Sequence, residues 1–375
     1  MVSVGIVGAG ASGCLCARFL LNSGADVTLF DYGEPLRTLL PTGGGRCNLA
    51  HAEYDFKELS KNYPRGEKFL YSVFSKFSTY DTLSVFEELG VETYTQEDGR
   101  IFPVSDSSKT VRASILAKLK KAEFVREGVN EITQAQNGYK LKTNKAEYYF
   151  SHVVIATGGG LKSRQIKGLN HKIIPYTPAL VGLKTNITNL SGVVLRNVSS
   201  KEFGITDDLL FTHFGISGPL AYKISSLNTK AGFPYKLTFD LYNEVFDFQE
   251  LLNENPHKDL KNILGRIFPH RFAEFISVDK ANLKAHQIDG RTRDTILNTI
   301  HNFELDVSGV DKGEETVTAG GYDLDEVNSK TMESKIYPHL YIIGEALDID
   351  GFCGGFNLQN AWSTAFVAAC GITAN

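Results

Sequence analysis

Gly8, Gly10 and Gly13 have the residue type and the spacing that bring a backbone against a phosphate. In a Gly-x-Gly-x-x-Gly turn between strand and helix, the first glycine permits the tight turn. The second lets the main chain approach a pyrophosphate, and the third lets the helix pack on the strand. The free N–H groups and the positive helix end then face the anion. The flanks fit this reading. Val2 to Val7 is a short apolar run, expected as a buried parallel strand, and a helical pattern follows through Leu21 with Gly24 as a C-cap. Ala25 to Phe30 is the next expected strand, and it ends at Asp31. A carboxylate there accepts hydrogen bonds from ribose hydroxyls and repels a 2′-phosphate, which favours the ADP half of FAD or NAD over that of NADP. Ala11, Ser12 and Tyr32 are assigned to the same cofactor site.

Later segments decide between the two dinucleotides. Ala156-Thr157-Gly158 ends a second buried run (152–156), and Gly344-Glu345 follows a third (340–343). Gly354-Gly355-Phe356-Asn357-Leu358 opens a last helix, expected from Leu358 to Cys370. A helix N-terminus aimed at a flavin stabilises negative charge on the reduced ring. A simple NAD dehydrogenase has no need of such a C-terminal return, so FAD is the expected cofactor. No second Gly-x-Gly-x-x-Gly unit follows, so NAD(P)H is expected only as a transient electron donor.

The rest of the chain must position these loops. Residues 66–90 and Val111 to Lys121 read as helices, and three short β runs lie between about Glu127 and Phe150, with Asn137-Gly138 as a turn. Short β runs from Pro178 to Tyr242 suggest a barrel or sandwich, residues 247–303 read helical, and strand character returns near Thr316. The expected organisation is a discontinuous nucleotide-binding domain (1–177 and 331–375), an inserted β domain (178–245 and 304–330) and a helical subdomain (246–303). The fold class is α/β.

Composition narrows the alternatives. With 42% hydrophobic and 22% charged residues, the chain can build sizeable cores. The net charge of -4 argues against nucleic-acid binding over the whole surface. Its five cysteines, Cys14, Cys16, Cys47, Cys353 and Cys370, show no zinc-ligand spacing, so no metal is expected and reduced thiols are the simplest reading. No long uninterrupted apolar run occurs, which predicts a soluble cytoplasmic protein.

Several longer segments carry a family resemblance: Thr42-Gly-Gly-Gly-Arg-Cys-Asn48, Phe211-Thr-His-Phe-Gly-Ile-Ser-Gly-Pro219, Thr331-Met-Glu-Ser-Lys335, and Gly344-Glu-Ala-Leu-Asp-Ile-Asp-Gly351 running into Gly354-Gly-Phe-Asn-Leu-Gln359. They resemble signature segments of the BaiN/YhiN-like NAD(P)/FAD-dependent flavoproteins, often called aminoacetone-oxidase type, over nearly the whole chain. The resemblance implies a glutathione-reductase-like, Rossmann-type FAD domain with an inserted β-barrel carrying a helical subdomain. It implies that Gly43, Gly44, Gly45, Arg46, Cys47 and Asn48 line the flavin and that Arg37 meets the pyrophosphate. Val129 joins the cofactor set, and the segment around His213 approaches the flavin from the insert. Phe352-Cys353 departs from the small residues expected before the double glycine.

Three side chains are candidates for chemistry. Arg46 either neutralises the reduced ring or an anionic substrate, or forms a structural ion pair. Cys47 is either a redox partner of the flavin or a small packing residue, with no Cys-x-x-Cys to form a disulfide centre. His213 is either a proton donor or a structural histidine. Tyr176 and Tyr322 are further possible acids. The leading function is NAD(P)H-driven reduction of a conjugated C=C or C=N bond of a small molecule through the flavin. The alternatives are a small-amine oxidase producing hydrogen peroxide and a flavin-dependent RNA uridine reductase. For the last, Lys258, Lys261, Arg266, Arg271, Lys280 and Lys284 would form a basic face. The oligomeric state is open.

Overall fold

The computed structural model describes residues 2–160, 166–230, 232–243, 247–311 and 317–374. The chain divides into two compact units, Met1–Thr177 with Val317–Asn375, and Pro178–Thr316.

The first unit is built on a parallel sheet. Its strands are β1 (Ser3–Val7), β2 (Asp26–Phe30), β3 (Glu123–Val125), β4 (His152–Ile155) and β5 (Leu340–Ile342), in the order β5-β4-β1-β2-β3. Val4, Ile6, Val153, Val154, Ile155, Leu340 and Ile342 have no exposed surface, as continuous apolar strands covered on both faces should. Burying one such side chain contributes about 1.5–3 kcal/mol. Helix α1 (Ala11–Asn22) connects β1 to β2 and packs along helix α2 (Phe356–Thr373), the last helix of the chain. The expected helix over 66–90 is two helices, Glu67–Phe74 and Thr79–Glu88, because Ser78 caps the second through a reciprocal bond with Asp81. The short runs after Glu127 form an antiparallel meander, Glu131–Ala135, Gly138–Lys142 and Glu147–Phe150.

In the second unit six strands close into a barrel: Leu183–Thr185, Gly215–Ser217, Ile205–Phe211, Val194–Ser200, Tyr235–Asp240 and Phe303–Val310. Closure removes the unpaired edges that a small open sheet would expose. Helices between Phe248 and His301 share one hydrophobic core with the barrel, Phe272 meeting both Phe211 and Phe303, so barrel and helices form one compact body. The sequence reading returns to the first domain at 331, whereas the first unit resumes at Val317. The strand Val317–Tyr322 pairs with Ile173–Ala179 in a two-stranded ribbon rather than with the barrel. Thr316 and the proposed 245/246 boundary lie outside the described residues. No described helix is long and apolar enough to cross a membrane.

Candidate functional site

From β1 the sheet runs to β2 on one side and to β4 on the other. A reversal of this kind opens a crevice beyond the carboxyl ends of the strands. The loops 8–13, 156–160 and 344–345 follow β1, β4 and β5 at that end.

Two of the three motif glycines are dictated by the protein itself. At Gly8, with φ of 109°, a Cβ would sit 2.2 Å from the Ala156 carbonyl oxygen, and at Gly13 it would sit 2.0 Å from that of Gly8. At Gly10 a Cβ would meet only Thr38 Oγ1, at 3.9 Å. No side chain caps α1 and no acid lies in its first turn, so its first N–H groups remain available to an anion. The Asp31 carboxylate accepts the N–H of Ala9 and of Gly33, each at 2.8 Å. It braces the glycine turn, and each oxygen keeps acceptor capacity. Tyr32 is 77% exposed, Arg37 is exposed in a short turn of helix, and Val129 is buried in the main core.

The 42–48 loop turns through left-handed Gly43, Gly44 and Gly45, and at the last two a Cβ would meet nothing within 4 Å. Arg46 lays its guanidinium over Phe102, 4.1 Å from the ring centroid, and approaches Asp106 at 4.0 Å. This supports its structural alternative while leaving the side chain partly exposed. Cys47 has no exposed surface, and burial pushes its thiol up to about 12. This burial supports the packing alternative for Cys47 over the redox one. With its amide nitrogen turned to the carbonyls, Asn48 donates to Ala50 O (3.0 Å) and Ile101 O (3.2 Å) and accepts the Gly355 N–H (3.0 Å).

That last bond fixes the loop to the start of α2. Gly355, at φ 97°, caps the helix without a side-chain partner, and a Cβ there would lie 2.4 Å from Ala50 O. Asn357 exchanges two 2.8 Å hydrogen bonds with the Gly351 main chain, and Tyr63 donates to Phe356 O at 2.6 Å. Leu358 is half-buried in the same turn, and Gly354 O lies 3.2 Å from His51 Nδ1.

Thr157 and Gly158 follow β4, and Gly158 faces open space. Beyond them the loop is tightly held. At Gly159 a Cβ would lie 2.0 Å from Thr318 Oγ1 and 2.8 Å from Glu345 Oε1, and at Gly160 it would lie 2.1 Å from the Tyr176 ring. Glu345 accepts from the Thr318 N–H (2.8 Å) and hydroxyl (3.2 Å). Burial raises its carboxyl to about 7, against the lowering effect of Thr318 and the Gly159 N–H. Gly344 donates its N–H to Thr364 of α2 at 2.9 Å. Sequence reading missed Thr318 and the Gly159–Gly160 contacts. The triple glycine 158–160 was their only signal.

His213 belongs to the second unit, exposed beyond the Ile205–Phe211 strand with its ring edge-on to Phe214. The expected basic face is largely neutralised. Lys261, Arg266, Lys280 and Lys284 lie within 4.0 Å of Glu274, Glu254, Asp279 and Asp259 respectively, and Arg271 donates to Ser191 O and Asn189 O. A cavity of about 1190 Å³ opens in this unit, lined by residues such as Arg196, Tyr242, Phe268 and Arg271, and none of the proposed flavin-site residues lines it. No cluster of potential metal ligands occurs among the described residues.

An uncapped helix start, glycines facing open space and a carboxylate with spare acceptor capacity fit a dinucleotide diphosphate. Residues 2–371 match the family described as HI0933-like protein Rossmann domain. The chain is 30% identical over 397 residues to the ribosomal RNA dihydrouridine synthase of Escherichia coli K12, covering 97% of this chain and 96% of that one. It is 27% identical over 410 residues to the 3-dehydro-bile acid delta(4,6)-reductase of Clostridium scindens, covering 98% of each. Among solved structures, the Sdh1 complex of Mycobacterium smegmatis in the apo form shares the fold at 14% identity, with a TM-score of 0.52 over 100% of this chain and 68% of that one. The protein therefore belongs to the HI0933-like Rossmann family, the BaiN/YhiN-like flavoproteins, and is an FAD-dependent oxidoreductase.

Proposed function

We propose that the protein reduces a C=C bond conjugated to a carbonyl, with NAD(P)H as a transient electron donor. The observation that carries this reading is the uncapped start of α1 with the open side of Gly10 at the β1/β4 switch point, which supports one dinucleotide cradle. The names of the two curated relatives supply the direction of the chemistry. A dihydrouridine is a uridine with two hydrogens added across a C=C bond, and a delta(4,6)-reductase is named for ring double bonds.

In this reading the free N–H groups of α1 and Gly10 hold the pyrophosphate, with Arg37 near it, and Asp31 holds the adenosine ribose. Gly43 to Asn48, Gly158, Glu345 and residues 354–358 line the flavin half. FAD supplies the hydride when bound. The chain's own residues orient the substrate, exclude water and place a proton. The bond between Asn48 and Gly355 keeps loop and helix start in fixed register, the kind of preorganisation that makes such a site effective.

A uridine in RNA is the second reading for the substrate, favoured by the end-to-end match to the rRNA-modifying relative. The charge pairing on the helices of the second unit weighs against a broad basic contact face there. Anaerobic stopped-flow measurements separate the cases. NADH or NADPH should bleach the flavin, and 2-cyclohexen-1-one or a uridine-rich RNA should restore its colour. Bleaching by aminoacetone, with no response to either nicotinamide nucleotide, would overturn the reductase reading.

A further inference from the structure

We propose that Tyr176 is the catalytic acid, its phenol delivering the proton that accompanies hydride transfer to the conjugated C=C bond. This rests on the reductase reading above. Tyr176 lies on the strand Ile173–Ala179, whose partner Val317–Tyr322 is tied to the end of β5 by the Thr318–Glu345 hydrogen bonds. Its ring lies against Gly160, where an added Cβ would come within 2.1–2.5 Å of three ring atoms. Any larger residue at 160 would push the ring away, so the pair places a phenol at the lip of the β4 loop, beside the crevice.

The hydroxyl itself is the second observation. Tyrosine hydroxyls in half-buried positions usually find a partner. The Tyr176 hydroxyl has no hydrogen bond to any described residue, although the ring is half-buried. The other proton-bearing groups near the crevice are engaged or closed off. Glu345 is occupied by Thr318, Tyr322 is 7% exposed, and Cys47 is sealed in the core. Burial, with Glu345 and Asp348 nearby, raises the Tyr176 pKa and so keeps the phenol protonated at neutral pH.

The step balances as follows. The β carbon of the substrate takes a hydride from the reduced flavin, which NAD(P)H has supplied. The carbonyl oxygen takes the phenolic proton as the O–H bond of Tyr176 breaks, and the enol so formed tautomerises to the saturated ketone in water. The substrate gains two electrons, the flavin is left oxidised, and water reprotonates the tyrosinate.

The test compares holoenzymes of wild type, Tyr176→Phe and His213→Ala, with 2-cyclohexen-1-one as the probe. Loss of a positioned general acid costs about 10²–10⁴-fold. Tyr176→Phe should take up FAD and be reduced by NAD(P)H as wild type is, yet its reoxidation by the enone should slow by at least about 10²-fold. A second readout needs no turnover: the enone should perturb the absorption of the oxidised flavin, with an affinity about tenfold weaker in Tyr176→Phe, because the carbonyl loses a hydrogen-bond donor. His213→Ala should be reoxidised by the enone at least about tenfold faster than Tyr176→Phe, which tells the two candidate acids apart. If Tyr176→Phe matches wild type in rate and affinity, the proposal fails and the reductase reading stands. If the slow variant is His213→Ala, the acid is His213. If wild type neither binds nor is reoxidised by the enone, the substrate class is wrong, and the assignment of Tyr176 falls with it. Should Tyr176→Phe not fold, Tyr176→Leu, which also lacks a proton to give, carries the same comparison.

Discussion

In the 8–13 turn, a Cβ at Gly8 or Gly13 would fall within 2.2 Å of a backbone oxygen, whereas in the 42–48 loop Gly44 and Gly45 look onto open space. The first pair of glycines belongs to folding, since β1, α1 and the end of β4 cannot close together with anything larger. The second pair, with Gly10 and Gly158, leaves room that the protein does not fill, and under the proposed function that room receives the cofactor. A glycine motif read from sequence runs these two roles together, and substitution separates them.

The largest effect is expected at Gly13. Gly13→Ala puts a methyl group 2.0 Å from Gly8 O, so backbone must move. A loss of about 3 kcal/mol or more follows from overpacking against backbone at such a site, seen as insoluble protein or a lowering of Tm by more than about 5 °C. Gly10→Ala meets only Thr38 at 3.9 Å and should keep Tm within about 2 °C. If the open side of Gly10 receives the pyrophosphate, the same change weakens FAD binding by at least about tenfold, or about 1.4 kcal/mol. Equal losses of stability in the two variants would erase the distinction.

Glu345 sharpens the comparison through pH. Its carboxyl titrates at about 7 in the folded chain against 4.5 as a free side chain, so the folded state binds the proton more tightly. The contribution of this group to stability is greatest below pH 4.5 and is lost as pH rises to about 7, up to about 3 kcal/mol in all. Thermal melts of the apo-protein should show that decline, and Glu345→Gln should flatten it. The smallest effect is expected from Cys47→Ser, which should leave flavin binding within about twofold. In the native wild type, a thiol reagent should modify the exposed Cys353 and Cys370 and leave Cys14, Cys16 and Cys47 unmodified until the chain unfolds.

Four of the five parallel strands were legible because they are largely apolar runs and the first turn carries a complete motif, whereas the exposed edge strand Glu123–Val125 has no such run and was missed. The barrel was legible only as a class, since Leu183–Thr185 and Gly215–Ser217 are too short to show a period. The ribbon of Ile173–Ala179 and Val317–Tyr322 was not legible. It pairs segments separated by the entire insert, and no local pattern records a partner so distant. For the same reason the Asn48–Gly355 bond could not be read from the residues alone. His213 and Arg46 show the converse limit. Their residue types advertise chemistry, but only three-dimensional placement shows that one is exposed in the second unit and the other is stacked on Phe102.

Whether the β1/β4 switch point holds a flavin dinucleotide is decided by the cofactor content of the purified protein. The purified protein should be yellow, release one FAD per chain on denaturation and, once stripped, rebind FAD at least about tenfold more weakly when Gly10 is replaced by alanine. A folded, colourless protein that ignores added FAD, or one whose FAD binding is untouched by Gly10→Ala and by Asp31→Ala alike, would contradict it.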